Sequence, residues 1–198
     1  MKNPPPVSLR ETLLQVAMRR FVQQGYHGTS MRQIARDAGV SLSNIYNYFP
    51  GKEALFAAVL EAYHPYHDIL PLLEQSSGER LEDFIRQAAQ RIHEVLQQRS
   101  EVLHLMLIEI VEFQGRHTHA IYQALLPRIE ALTRRLRDYP RLRSLPPMTM
   151  VRAFLGLLWA DYLLTQGVGG AARASLDDLV TIFLYGVVQR EPGDEVTP

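Results

Sequence analysis

Apolar residues recur along this chain at intervals of three and four, and Val, Ile and Thr nowhere alternate with polar residues over the length of a strand. That is the period of an α-helix, so the pattern predicts an all-α protein. Leu9, Leu13, Val16, Ala17 and Phe21 form the stripe of a first helix. Ser8 and Glu11 open it as a capping box, each side chain satisfying a free amide of the helix start, and Gly25 ends it. Ser30 and Gln33 make a second box ahead of a short helix that runs to about Ala38, with Ile34 and Ala35 inward. Gly39 supplies a turn, Ser41 caps a third helix carrying Ile45 and Tyr46, and Phe49-Pro50-Gly51 stops it. A fourth helix starts at Lys52-Glu53, shows Leu55, Phe56, Val59 and Leu60, and is bent or ended by Pro65 and Pro71. After a break at Ser76-Ser77-Gly78, longer periodic stretches lie at about 79–98, 101–114, 118–138, 147–166 and 175–190. Gly115, Pro140, Pro146-Pro147 and Gly167 to Gly170 separate them. Helix start and stop signals give about nine helices in all. A Pro-rich tail over residues 2–6 precedes them and is expected to be mobile.

Charge changes this picture by dividing the chain. The formal net charge is zero, which by itself argues against a nucleic-acid partner. Yet residues 1–52 hold seven basic side chains (Lys2, Arg10, Arg19, Arg20, Arg32, Arg36 and Lys52) against two acids, Glu11 and Asp37. That end carries +5 and the remainder −5. A small basic module on a neutral chain is the electrostatic footprint of a DNA reader, with chance clustering as the competing account. The charge sign and the helix length both change near residue 51, which divides the chain into 1–51 and 52–198. There is no cysteine among 198 residues, so disulfides, thiolate zinc sites and thiol nucleophiles are excluded. The start does not look like a secretory signal, and the most apolar stretch, Val151 to Leu164, is too short and too charged for a bilayer. A cytoplasmic protein without a membrane partner is the expectation.

Residues 30–49, SMRQIARDAGVSLSNIYNYF, carry the chemistry. Two helices meeting at a steep angle need a small residue at closest approach, a positive φ at the turn and a branched aliphatic in the angle. Ala35, Gly39 and Ile45 stand at those places, with Val40 below the turn. Leu42, Ser43, Asn44 and Asn47 are left on the outer surface of the third helix, with Tyr46 and Tyr48 flanking them. Ser and Asn can hydrogen-bond base edges, and Leu42 can meet a thymine methyl. Tyrosine hydroxyls, Arg32 and Lys52 suit phosphates. A plain three-helix unit with a solvated polar face has the same spacing, and the caps, the charge and the outer surface weigh against it.

With those residues in view, residues 8–60 resemble the DNA-binding domain of TetR-family regulators. The matching pieces are Phe21, Gly25-Tyr26, Thr29-Ser30, Ile34-Ala35, Ala38-Gly39-Val40-Ser41, Ile45-Tyr46, Tyr48-Phe49, Lys52-Glu53 and Leu55. The resemblance implies double-stranded DNA as partner. Ser30 and Arg32 would face backbone and nearby bases, Leu42, Ser43, Asn44 and Asn47 would read bases, and Tyr46, Tyr48 and Lys52 would hold phosphates. Leu42 and Tyr48 depart from the small, polar or basic residue and the His often found at those places, so the operator sequence is not predicted.

The resemblance also implies a C-terminal helical ligand-binding and dimerisation domain joined through the fourth helix, a homodimer seam on the last two helices, and a small-molecule effector. The last helix offers Val180, Phe183, Gly186 and Val187, and the one before it Phe154, Leu155, Leu158, Tyr162 and Leu163; a buried core helix has the same look. Effector-lining candidates are Tyr66, His67, His93, Leu103, Met106, Leu107, Ile110, Phe113, Tyr122, Trp159 and Tyr162, an apolar and aromatic set with a few polar tips. A core stripe has this composition too. His64 and His67 with Glu61 share helical spacing, but Pro65 disturbs it and no third or fourth ligand joins them, so no metal and no cofactor are expected. The expected function is a ligand-responsive, sequence-specific regulator, a repressor that leaves a palindromic operator when a largely apolar effector binds. A helical interaction protein, or an enzyme with an appended helix-turn-helix, is the alternative. The chain lacks a Gly-rich phosphate loop and a nucleophile elbow, which disfavours the enzyme.

Overall fold

The computed structural model describes residues 8–75, 80–136, 139, 143–167 and 175–187. The proline tail, the Ser76-Ser77-Gly78 break, Pro140, Gly169-Gly170 and the expected helix ends at 138 and 190 lie outside them. The described residues fold as ten helices without a strand: α1 (Leu9–Gly28), α2 (Met31–Asp37), α3 (Leu42–Tyr48), α4 (Lys52–Tyr63), α5 (Tyr66–Gln75), α6 (Leu81–Gln98), α7 (Ser100–Phe113), α8 (Arg116–Leu136), α9 (Pro147–Gly167) and α10 (Leu176–Val187). The all-α expectation holds. The added helix is α5: Pro65 ends α4 as read, but Pro71 sits inside the next helix rather than stopping it. A proline costs one amide and one clash, and a short helix packed on a neighbour can carry that.

Packing groups the residues into two compact units, one of 1–65 with 99–124 and one of 66–98 with 125–198. The first therefore reaches well beyond the charge break at residue 51, because α4, α7 and the first part of α8 are built into it. In this unit α1 packs on α4 and α7, and α2 lies against α1 and α3. Phe21, Ile34, Ile45, Leu55 and Phe56 are wholly buried at its centre. Phe56 meets Phe21 edge-on at 5.3 Å and stacks on Phe113 at 5.0 Å, so an aromatic cluster ties α7 to α1 and α4. Tyr26 joins it edge-on to Phe113 at 4.8 Å.

Glu109 of α7 has no exposed surface. Its carboxylate accepts the backbone amides of His117 (2.6 Å) and Thr118 (3.1 Å) and lies 2.8 Å from Nδ1 of His117. Those amides belong to the first turn of α8, which has no earlier carbonyl to bond and favours a negative charge. The His117 ring is held in turn against Phe113 at 4.7 Å.

The second unit is organised on α6. Leu81, Phe84, Ile85, Ala88, Ala89, Ile92 and Leu96 make one buried stripe on it, against which α5, α9 and α10 pack. Phe154 of α9 and Phe183 of α10 meet at 5.1 Å. A two-bonded pair joins Arg128 to Glu74 at 2.7 and 2.8 Å, and Arg86 pairs with Asp177. Val180, Phe183, Val187, Phe154, Leu158 and Tyr162 are all buried within the single chain. Six of the nine residues read as a dimer seam therefore belong to the protomer's own core, whereas Gly186 and Leu163 are exposed and Leu155 is half-buried.

Two stability effects follow. Ile45→Ala empties the angle between α2 and α3 and is expected to cost about 2–5 kcal/mol. Glu109→Ala strips the buried amides of α8 of their acceptor and is expected to cost about 1–3 kcal/mol. Urea unfolding of each variant followed by far-UV circular dichroism measures both.

Candidate nucleic-acid interface

The candidate surface is built from short elements that could not hold themselves. Helices α2 and α3 have seven residues each, shorter than a helix stable alone. Local chemistry fixes their ends. The Ser30 amide donates to Oε1 of Gln33 at 2.8 Å and the Gln33 amide donates to the Ser30 hydroxyl at 3.3 Å. The Asn44 amide donates to the Ser41 hydroxyl at 3.2 Å. Between them Gly39 adopts φ 69°, which glycine reaches without strain, and the Val40 amide donates to the Ala35 carbonyl at 3.0 Å. Met31, Ile34, Ala35 and Ile45 face inward. Gly25 breaks the helical path of α1 as expected, with φ 70° and ψ 176°, but a further turn follows it to Gly28.

The remaining side chains of α3 are turned outward. Ser43, Asn44 and Asn47 are exposed, and Tyr46 and Tyr48 are 49% and 46% exposed. Large aromatic side chains this open to water at a helix surface ask for a partner. Ser30 and Arg32 of the α2 start are exposed too. Arg32 has no ion-pair partner among the described residues, whereas Arg20 and Arg36 are both drawn to Asp37. Leu42 departs from the expected base-reading place: it is partly buried against the core of the unit, where its apolar surface is better satisfied.

Lys52 departs further. Its Nζ donates to the carbonyls of Tyr26 and Thr29, each at 2.9 Å, and stands 4.2 Å from the centre of the Tyr26 ring. Partial burial holds this ammonium below the usual lysine range, with Glu112 opposing the shift. Burial likewise raises the Tyr26 phenol, helped by Glu53 and Glu112. The side chain expected on a phosphate is thus turned to the end of α1. A cation that the sequence reading did not place is Arg10, exposed and 5.6 Å over the Phe49 ring, beside the C-terminal end of α3. Its basic charge was visible, but nothing local links position 10 to position 49.

The effector-lining candidates are divided between the two units. Leu103, Met106, Leu107, Ile110, Phe113 and Tyr122 fall in the first unit and Tyr66, His67, His93, Trp159 and Tyr162 in the second. Leu107 and Ile110 are 44% and 58% exposed on the outer side of α7, and His67 is exposed on α5. Leu103 and Phe113 are core residues, and Met106 packs on that core. Tyr122, Tyr66 and His93 are partly buried. Trp159 is partly buried with its ring 6.0 Å from that of the buried Tyr162. His64, buried at the end of α4, and His67 fall in different units. Among the described residues no three His, Cys, Asp or Glu side chains gather to hold a metal ion, and no helix is long and apolar enough to cross a membrane.

Known proteins match the chain where this geometry lies. A family model described as bacterial regulatory proteins, tetR family, matches residues 13–59. The HTH-type transcriptional regulator RutR of Escherichia coli is 51% identical over 51 residues, which is 26% of this chain and 24% of RutR. The chain thus spans about a quarter of the length of that curated relative. Over nearly the whole chain the likeness is one of fold. The fatty acid degradation regulator FadR from Bacillus halodurans aligns with a TM-score of 0.71 and 16% identity, covering 93% of this chain and 97% of its own. A TetR family transcription regulator from Marinobacter aquaeolei aligns at 0.65 and 17%, covering 92% and 96%. The matched helices are those whose caps, turn and outward face are described above, and over residues 13–59 the chain is similar to the tetR family of bacterial regulatory proteins.

Proposed function

We propose that this chain is a homodimeric, ligand-responsive repressor that binds a palindromic operator and leaves it when a small, largely apolar effector binds the C-terminal helices. The observation that carries the DNA-binding part is the surface of α3: Ser43, Asn44 and Asn47 exposed between two open tyrosines, on a helix whose inner side is locked by Ile45. Amide and hydroxyl groups at that spacing read base edges in a major groove. Tyr46, Tyr48, Arg32 and Arg10 supply the phosphate contacts, and Ser30 lies beside Arg32 at the start of α2.

The dimer is supported by the side of α9 and α10 that the protomer leaves uncovered. Ile182 and Tyr185 are 59% and 50% exposed, Leu163 and Leu164 are 37% and 52% exposed, and Gly156, Ala160 and Gly186 are open beside them. Large apolar side chains next to small ones let two helix pairs approach closely and bury a continuous surface. Two-fold symmetry then sets the α3 helices on successive major grooves, about 34 Å apart. An effector that prefers one arrangement of the dimer shifts the population toward it and changes the fit to DNA. The effector is proposed to meet apolar and aromatic side chains of the body, among them Trp159 and Tyr162.

Arg32→Ala is expected to weaken binding evenly across sequences and to lower the salt slope of log K by about 0.9 per protomer, while Asn44→Ala and Asn47→Ala relax sequence preference by about 1–3 kcal/mol each. Fluorescence anisotropy against the chain's own upstream DNA and against mixed-sequence duplex, over a range of salt, reads both. Equal affinity of the unchanged protein for the two DNAs would remove operator specificity. Ile182→Glu combined with Tyr185→Ala is expected to give a monomer at concentrations where the parent chain sediments as a dimer.

A further inference from the structure

The chain holds 21 Lys and Arg residues, of which only Lys2 and Lys52 are lysines. Lys52 is the first residue of α4, where a cation gains nothing from its own helix. Its ammonium reaches back to the other end of a different helix. Tyr26 lies in the last turn of α1 and Thr29 is its C-cap, so the two carbonyls it binds, at 2.9 Å each, stand at the helix end, where the Tyr26 carbonyl also accepts the Thr29 amide at 3.3 Å. The Tyr26 ring covers the ammonium from a further side at 4.2 Å. The corner is otherwise rigid. Thr29 is 1% exposed, and its hydroxyl donates to the carbonyls of Gly25 (2.9 Å) and Arg20 (3.1 Å). The next residue, Ser30, is the N-cap of α2.

A phosphate is served by Lys or Arg, and a bidentate guanidinium serves it well. The gap between two carbonyls at one helix end, beside an aromatic ring, calls for a compact ammonium with tetrahedral donors. Two of the three donors are occupied in this way, and the charge lies where the α1 carbonyls are most negative.

We infer that Lys52 is a positioning residue rather than a phosphate ligand: its ammonium pins the corner between α1 and α2 to the first turn of α4 and so sets the direction in which α2 and α3 present their outer surface. This rests on the DNA-binding reading above. Lys52 acts through Thr29 and Ser30 on the start of α2, and the cations left to meet phosphate in this region are arginines.

The test separates the pin from a phosphate contact by the salt dependence of binding. Lys52→Met keeps the apolar stem and removes the charge. The expected result with mixed-sequence duplex DNA is an affinity about tenfold lower at every salt concentration with the slope of log K against log salt unchanged, together with a lowered Tm of the DNA-free protein. A slope reduced by about 0.9 per protomer marks a lost phosphate contact and overturns the inference; so does an unchanged affinity. A second measurement on the unaltered full chain needs no variant. Reductive methylation followed by peptide mass spectrometry should modify Lys52 more slowly than Nα-acetyl-lysine in the DNA-free protein, and reaction as fast as that reference overturns the inference. If the unaltered chain fails to bind duplex DNA at all, the regulator reading fails, and the methylation rate still decides whether the ammonium is held.

Discussion

A helix that ends inside a protein leaves its last carbonyl groups without partners, and water is the usual remedy. In this chain α1 ends against α2 and α4, where one ammonium serves both the Thr29 carbonyl and the Tyr26 carbonyl, the latter also taking the Thr29 amide. The arrangement is costly, because a partly buried cation loses hydration, and it is offset by two charge-assisted hydrogen bonds and the face of a ring. The rest of the N-terminal unit is arranged around this joint. Gly25 frees the chain to turn, the Thr29 hydroxyl closes the turn from inside, and Ser30 starts the next helix at once. Ile34 and Ile45 can then meet Phe21 in one core.

The same unit shows how a helix-turn-helix is extended by residues far along the chain. Phe113 enters the aromatic cluster of Phe56 and Tyr26 from α7, and Glu109, one turn earlier, seats the start of α8 through two amides and His117. Glu53 at the head of α4 lies 2.9 Å from an Arg116 guanidinium nitrogen. Residues near 110 are therefore as much part of the support beneath α2 and α3 as residues near 20.

What the sequence made legible was local. Ser8 with Glu11 and Ser30 with Gln33 are capping boxes in fact as in pattern, because the interaction spans three residues and depends on nothing else. Gly39 and Ile45 follow from the geometry of one turn. The partner of Lys52 was illegible, since 26 and 23 residues separate it from the carbonyls it holds and no spacing rule covers such a distance. Helix α7 misled for another reason. It is apolar nearly all round, so periodicity could not say that Leu105 faces the core while Leu107, Ile110 and Val111 face outward. On α10 Val180 and Phe183 share a helix face with Val187 and were natural choices for a seam, yet they are the ones the protomer needs, and Ile182 and Tyr185 are left outside.

The brevity of α2 and α3 has a consequence for anyone wishing to graft this helix pair onto another protein. Their fourteen residues carry the outward chemistry but almost none of the energy that shapes it. Transplanted as residues 30–49, they would arrive as an unstructured peptide. The portable piece is discontinuous: the helical stretch from Ser8 to Pro65 must travel with the Arg99–Ala124 segment that completes its core, so a graft calls for a scaffold able to receive two separate stretches of chain.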